Sequence, residues 1–476
     1  MGKIIIGAAG LVLIVQAAIG LTFFVSSIRE KERRAAVLGG IQFAIMLVPA
    51  VAYFYAGKTG FFETNIGRWL PAAVLIGSFF IFLLLFKKTA ANPKALAGTG
   101  GFVCGDVHRI DEREIVFSRG RILKPGMAQY DEFYRAHTEW KAADDLRRRN
   151  AKPPGYIDRP YEGPNKAGVM AQQGMAMNLS TPERYSPKPA AGSKIDLSPE
   201  AATERIKGFA MHLGADLVGI TEINPLWIYS HRGMIFNENW TDWGRQIELN
   251  HRYAVVLATE MSFHLTRTAP HTASAVEVHR NYALGAFISC QLAGYIANLG
   301  YSATADHYRH YDTLMVPLAV DAGLGELSRM GYLITKPFGP RVRLAAVTTD
   351  LPLITDKPLD IGVEDFCNTC KKCALTCPSG SIPLGEQTEV NGIKRWKLDA
   401  ETCFEYWGKV GTGCAICMSV CPWGHASTLP HKIVRAMVSR SKASRRLFIL
   451  MDDIFYGKKP KPVEAPGWAR FDGRNI

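Results

Sequence analysis

Three apolar runs open the chain, and a mixed pattern follows them. Ile4 to Ile28 is 25 residues with Gln16 as its one strongly polar position. As a helix it would be about 37 Å long, enough to cross a bilayer. Ala35 to Ala56 is a second such run. Leu70 to Phe86 is a shorter third, with Pro71 where a helix start tolerates it. A secretory signal is the alternative for the first run, but the run is too long for one and another follows almost at once. No twin-arginine pair precedes it. Arg29, Lys31, Arg33 and Arg34 fill the first loop, and Lys87-Lys88 follows the third run. Lys3, Lys58 and Arg68 lie on the other side. This bias predicts a multi-pass protein of the inner membrane, with the first loop and the large remainder in the cytoplasm.

From Ala90 to Ser198 the pattern is polar and proline-bearing, including Lys152-Pro153-Pro154-Gly155, and reads as a connecting or wrapping segment. The texture changes at Ser198-Pro199-Glu200, an N-cap, a first-turn proline and a dipole-friendly carboxylate. Ile206, Phe209, Ala210 and Leu213 keep helical spacing, and Gly214 ends the helix. Ala215 to Ile220 and Tyr253 to Thr259 read as buried strands. Ala273 to Leu299 reads as a long helix closed by Gly300. Helices alternating with short apolar strands predict a layered α/β or α+β domain, and α+β is the class expected here.

Composition adds little to this picture. Charged residues make up 21% and hydrophobic ones 47%, a globular balance. The net charge of +13 raises nucleic acid as a partner. The basic residues are scattered, however, with short runs at Arg147-Arg148-Arg149 and Lys458-Lys459 and no aromatic-interleaved stripe. No nucleic-acid partner is expected; the excess reads as solvated or lipid-facing. Gly323-Leu324-Gly325 and Gly331 imitate a glycine-rich loop, but no dinucleotide fingerprint or P-loop is present, so nucleotide binding is not expected.

The cysteines change the picture. Eight of the ten fall into two groups: Cys367, Cys370, Cys373 and Cys377 before Pro378, and Cys403, Cys414, Cys417 and Cys421 before Pro422. The first group is C-x2-C-x2-C-x3-C-P, the run of bacterial two-cluster ferredoxins. Three thiolates two residues apart wrap one cubane, and the fourth points to the other. One [4Fe–4S] cluster is therefore assigned to Cys367, Cys370, Cys373 and Cys421, and a second to Cys377, Cys403, Cys414 and Cys417. The second motif departs from the ferredoxin spacing: Gly411 stands where its first cysteine would be, and Cys403 reaches back across an inserted loop. Zinc would not need two Cys-Pro tails, and cysteines this close bridge poorly as disulfides. Cys104 and Cys290 read as bystanders. Two clusters move single electrons, and the structured chain before them exceeds what a ferredoxin needs, so a redox site in the central domain is expected.

Beyond these motifs the chain resembles the corrinoid, iron–sulfur reductive dehalogenases. The likeness is carried by Ile110 to Phe117 with Lys124-Pro125-Gly126 and Tyr130, and by Asp321 to Glu326, Gly339 to Leu344 and Thr349 to Leu353. Cys421-Pro422-Trp423 and Asp452 to Gly457 follow the same pattern. Members of that family are usually exported and docked on a separate three-span protein. Here the spans precede the enzyme in one chain, and Arg29-Glu30-Lys31-Glu32-Arg33 resembles the acidic loop of the docking protein. The resemblance implies a three-helix anchor (1–89), a wrapping segment (90–197), and a nitroreductase-like corrinoid domain (198–355). A ferredoxin-like two-cluster domain (356–430) and an extension packing on the catalytic domain (431–476) complete the division. It implies an organohalide substrate, a base-off corrinoid (cobalamin), and an electron donor that is a ferredoxin, a flavodoxin or quinone-linked. Lipid is a partner of the anchor. No D-x-H-x-x-G loop supplies a histidine to cobalt; Asp106-Val107-His108 begins one, but Asp111 occupies the glycine position. The family's acid is a tyrosine whose phenolate a nearby cation stabilises. Tyr282 matches the tyrosine and Arg341 the cation, with Arg343 and Lys336 as competitors. Gly285, Ala286, Ser289 and Ala293 would leave room for a flat macrocycle. Tyr308, Trp227, Trp240 and Trp243 are candidates for the substrate pocket.

Two other readings are weighed. One is an epoxyqueuosine-reductase-like corrinoid enzyme, which carries an aspartate as acid where Asn281 stands. The other is a membrane-bound iron–sulfur electron carrier without its own catalysis.

Overall fold

The computed structural model describes residues 2–158, 166–190, 192, 194–236 and 240–470. The chain divides into two compact units, Met1–Ala90 with His425–Val463, and Ala91–Gly424 with Glu464–Ile476.

In the first unit the three apolar runs are helices Gly2–Arg29, Arg33–Lys58 and Leu70–Phe86, and the helical segments Lys3–Arg29, Arg33–Lys58 and Gly67–Phe86 are long and apolar enough to cross a membrane. Small residues let them approach closely. A Cβ on Gly39 would stand 3.2 Å from the Phe23 ring, and one on Gly20 3.4 Å from the Phe43 backbone. Gln16, the polar exception, donates to Ser78 Oγ of the third span at 3.2 Å. Two amphipathic helices, Leu429–Val438 and Lys442–Phe455, belong to this unit. Ser444 donates to the Leu85 carbonyl at 2.6 Å, and Arg34 to the Ile454 carbonyl at 2.9 Å. Buried Glu30 meets Thr428 at 3.3 Å and His431 at 3.4 Å. Burial raises the Glu30 carboxyl, but the His431 bond and charge outweigh it and hold it below the ordinary carboxylate range. Residues 431–463 therefore group with the spans. The expectation that 431–476 packs as one extension on the catalytic domain is corrected, because the polar groups of these helices satisfy carbonyls at the ends of the spans.

The second unit is built on a four-stranded antiparallel sheet: β1 Leu217–Glu222, β2 Tyr253–Glu260, β3 Ala303–Asp306 and β4 Val342–Thr349, in the order β1-β2-β4-β3. Alternation along β2 buries both faces. Tyr253, Val255 and Leu257 meet the helices Pro199–His212 and Thr272–Asn298 through Ile206, Leu292 and Ile296. Ala254, Val256 and Ala258 meet the helix Met315–Asp321 through Leu318 and Val320. The capping expected at Ser198 is present: its hydroxyl accepts from Ala201 N at 3.2 Å. The predicted segments recur within a residue or two.

Residues 90–197 are not a loose connector where described. They form helices Val116–Ile122, Ala128–Ala136, Thr138–Asn150 and Lys166–Leu179. A buried ion pair, Arg119–Asp144 at 2.8 Å, ties two of them, and Tyr134 donates to the same carboxylate at 2.8 Å. Charge-rich helices escape an apolar-periodicity reading because their packing runs through ion pairs and aromatic rings.

Candidate active site

The eight motif cysteines come close together in the second unit. Cys421 lies within electrostatic reach of Cys367, Cys370 and Cys373, and Cys417 within reach of Cys414, Cys373, Cys403 and Cys377. Cys377, Cys403, Cys414 and Cys417 line one common pocket. Among the described residues no group of three His, Cys, Asp or Glu is placed to hold a single metal ion. Four thiols in each assigned set match the ligand number of a [4Fe–4S] cubane. The backbone is shaped to suit: Lys371, Cys414 and Ala415 take φ values of 51°, 56° and 61°. Such left-handed residues turn successive N–H groups inward, where they serve an anionic cluster. Burial pushes the Cys367 and Cys373 thiols up to about 12 and Cys403 to about 11. At Cys377 burial raises the thiol too, but the Ser379 hydroxyl and the N–H groups of Ser379, Ser381 and Ile382 outweigh it. Thiols that resist ionising alone are those for which a cationic iron core supplies the missing stabilisation.

Two buried side chains fix the first set. Arg329 donates Nε to the Cys367 carbonyl at 3.0 Å and Nη1 to Pro383 and Gly385 carbonyls at 2.7 and 2.8 Å, with its face 4.5 Å from the Trp396 ring. Glu326 accepts from Ile361 and Val363 N at the start of the helix Val363–Cys370. Burial pushes its carboxyl up to about 7.

A cavity of about 920 Å³ lies against the second set. Tyr332, Trp407, Gly413 and Ala415 line both the cavity and the Cys377–Cys417 pocket, so this set shares a wall with the cavity. The Trp407 indole also bonds the Cys403 thiol. Glycines flatten the wall. A Cβ on Gly331, at φ +77°, would meet nothing nearer than Leu398 Cβ at 3.7 Å, and one on Gly413 would stand in open space. The volume is at the upper end of what small-molecule sites occupy. An extended, largely apolar space with bare backbone beside a cluster site suits a flat macrocycle.

Tyr282 stands on the cavity wall, one turn after His279 on the long helix. Its ring is 4.5 Å from that of Tyr308, whose hydroxyl accepts from Arg121 at 3.2 Å. The cation beside it is Arg343, in β4, with its guanidinium carbon 5.3 Å from the Tyr282 ring centroid. Arg341 is elsewhere. It is 1% exposed, pairs with Glu260 at 2.9 Å, and donates to the Gly424 carbonyl at 2.6 Å and to the Met261 carbonyl. The guanidinium at the Tyr282 ring is thus that of Arg343, not the expected Arg341. Lys336 is exposed and off the cavity wall.

Other expectations divide. Trp227 lines the cavity, its indole donating to Thr99 at 2.9 Å, but Trp240 and Trp243 pack around Phe133. Gly285, Ala286, Ser289 and Ala293 do not clear the cavity. They let the helix lie on the sheet, where a Cβ on Gly285 would be 3.2 Å from Ala345 Cβ. Gly339 has a comparable role. At φ +59°, a Cβ there would strike the Trp423 carbonyl, so the segment before β4 can press on the second Cys-Pro tail.

Sequence reasoning missed the polar groups behind the wall. His279 bonds Asn178 at 2.7 Å, and burial, with Arg121 and Arg343 nearby, takes its imidazole down to about 4. Asp306 and Asp312 form a buried pair with Arg232, His310 and Thr313. Burial and the Asp312 charge push Asp306 up to about 8, while His310 and Arg232 outweigh burial at Asp312 and hold it low. No spacing signal marks these residues, since loops and strand ends far apart in sequence assemble them.

Comparison with known proteins agrees with this geometry. Residues 366–425 match the family described as 4Fe-4S dicluster domain. The chain is 32% identical over 298 residues to a tetrachloroethene reductive dehalogenase of Sulfurospirillum multivorans, covering 56% of this chain and 59% of that one. It is 33% identical over 282 residues to the corresponding protein of Dehalobacter restrictus, covering 50% and 51%. It superimposes on the catabolic reductive dehalogenase NpRdhA, in complex with 3-bromo-4-hydroxybenzoic acid, with a TM-score of 0.58 and 26% identity. That match covers 75% of this chain and 48% of that one. The chain thus spans about half to three-fifths of the length of these relatives.

Proposed function

We propose that this chain is a membrane-anchored reductive dehalogenase that removes halogen from an organohalide, using a base-off corrinoid reduced through two [4Fe–4S] clusters. The observation that carries the reading is one wall of the cavity: Tyr282 under the Arg343 guanidinium, in a space that shares Tyr332 and Trp407 with the Cys377–Cys417 site. The likeness to reductive dehalogenases supports the same reading.

When bound, the reduced corrinoid supplies the electrons that break the carbon–halogen bond. The chain's own residues do the rest. Cys367, Cys370, Cys373 and Cys421 would hold one cluster and Cys377, Cys403, Cys414 and Cys417, beside the cavity, the other, and the two would supply single electrons to the site. Tyr282 gives its hydroxyl proton to the carbon that has lost halide. Arg343 stabilises the negative charge that grows on the phenol as the proton departs, and Tyr308 holds the ring by stacking. Trp227, Phe102 and Leu314 line the cavity and keep water from competing for the carbon. Arg341 serves the frame and takes no part in the proton transfer.

The epoxyqueuosine-type reading is less well supported. Asn281, where its acid would stand, is fully buried and bonds Glu277 at 2.8 and 3.0 Å. The donor in this reading is a ferredoxin, a flavodoxin or a quinone-linked carrier, and the Lys/Arg bias supports a cytoplasmic catalytic unit.

Anaerobic purification with cobalamin tests the whole. The expected product holds about eight iron and one cobalt per chain and releases halide from chloroethenes or halophenols when a viologen supplies electrons. Full iron without cobalt after reconstitution would leave the electron-carrier reading in its place. A reporter fused after Ile476 should read as cytoplasmic; an external reading inverts the orientation only.

A further inference from the structure

The helix Lys442–Phe455 has two apolar faces, and only one is used inside its own unit. Ile449 and Phe455 are buried, with Asp452 between them. Leu447, Leu450 and Ile454 form a second stripe at three- and four-residue spacing, exposed by 37%, 57% and 46%. A helix that presents large aliphatic groups outward needs a cover that is not in its own unit.

Its bonds say where the helix lies. Ser441 donates to the Leu84 carbonyl at 3.4 Å and Ser444 to that of Leu85 at 2.6 Å, the last turn of the third span. Arg34, in the first turn of the second span, donates to the Ile454 carbonyl at 2.9 Å. Both ends of the helix are thus fixed at the level where the spans stop. Leu84 is itself 60% exposed, so the outer stripe continues the apolar surface of the third span. Lys442 and Arg446 are exposed on the same helix, and Lys458-Lys459 follows it directly.

We propose that Lys442–Phe455 is a fourth membrane-contacting element. It lies in the plane of the bilayer interface with Leu447, Leu450 and Ile454 among the upper acyl chains, and its basic residues face anionic headgroups. Helices of this kind combine apolar burial with attraction to acidic lipid, and each basic residue near the surface adds to it. The proposal rests on the three spans crossing a bilayer and is independent of the dehalogenase chemistry. It differs from a fourth span: at 14 residues the helix is too short to cross.

The test uses the full-length chain in phosphatidylcholine nanodiscs, with a fluorescent amino acid placed in turn at Leu450, at Leu83 in the third span, and at exposed Met211 in the second unit. Lipid brominated near the headgroup is the quencher. The expected result is a loss of emission at 450 comparable to that at 83, with none at 211. Adding phosphatidylglycerol should deepen the loss at 450, and the Lys442→Gln, Arg446→Gln pair should remove that increment. The same probe at Leu447 replaces position 450 if that variant fails to fold. Emission at 450 that ignores the brominated lipid while 83 is quenched overturns the proposal, and would leave another protein surface as the cover. Silence at 83 as well would overturn the spans and the proposal together, without touching the dehalogenase reading.

Discussion

Tyr282→Phe removes one oxygen and little else, which makes it the sharpest test of the proposed chemistry. The phenylalanine ring keeps the stack on Tyr308 at 4.5 Å and the guanidinium at 5.3 Å, so folding and cofactor loading should hold. General acid catalysis contributes about 10²–10⁴-fold, or roughly 2.7–5.4 kcal/mol of barrier. Dehalogenation should fall by at least the lower figure. Arg343 adds a second handle. A unit charge 5.3 Å from the ring, at an effective dielectric constant of about 20, interacts with a full phenolate charge by roughly 3 kcal/mol. Arg343→Gln should therefore cost up to about 10²-fold, and Arg343→Lys less, because the charge survives while the planar fork does not. The assay is halide release under viologen reduction, normalised to iron and cobalt content. Near-normal turnover in fully loaded Tyr282→Phe refutes the acid assignment. Equal losses in Arg343→Lys and Arg343→Gln would refute the charge argument and leave shape as the cause.

Arg341→Gln should damage stability more than chemistry. It removes a buried cation that bonds Glu260, Gly424 and Met261, at a cost of about 3–5 kcal/mol. Denaturation midpoints should fall while turnover per intact cobalt stays near normal. Cys403→Ala should cost one cluster, leaving about four iron per chain, with the lost signal belonging to the set beside the cavity. Loss of all iron would mean that the two sites do not assemble separately. Glu326 predicts a pH effect. Its folded carboxyl sits at about 7, above the unfolded value, so the folded state holds the extra proton. The stability this provides is fully present below about pH 4.3 and is lost as pH rises towards 7, by roughly 3–4 kcal/mol at most. Glu326→Gln should flatten that slope, and an unchanged slope in urea titrations would refute it.

The fold was most legible where one physical requirement sets the residue type. Bilayer length marked the three spans, and Ser198, Gly214 and Gly300 marked helix ends through capping and left-handed backbone. The cysteine motifs were legible because a cubane admits few spacings, and Cys403, across the inserted loop, lines one pocket with Cys377, Cys414 and Cys417. Residues 90–197 were not legible. Their helices bury pairs such as Arg119–Asp144, whose letters alone read as solvent-exposed.

The confusion of Arg341 with Arg343 has a simple geometric origin. The two stand two residues apart, so in an extended strand they share a face, and pattern alone cannot say which reaches the cavity. What separates them is β4. Arg343 pairs in register with Thr259 inside the sheet, whereas Arg341 precedes the strand and turns into the loop after Cys421. Strand boundaries are the least certain part of any sequence reading. The small residues of the long helix carry the same lesson. Gly285 and Ala286 were expected to open space for a ligand, yet the same smallness serves helix-to-sheet contact, and only the position along the helix axis decides which. Ala275, Val278, His279 and Tyr282 carry one face of the helix along the cavity wall. Gly285, Ala286 and Ser289 continue the same face further along the axis, where it meets β4 at Ala345.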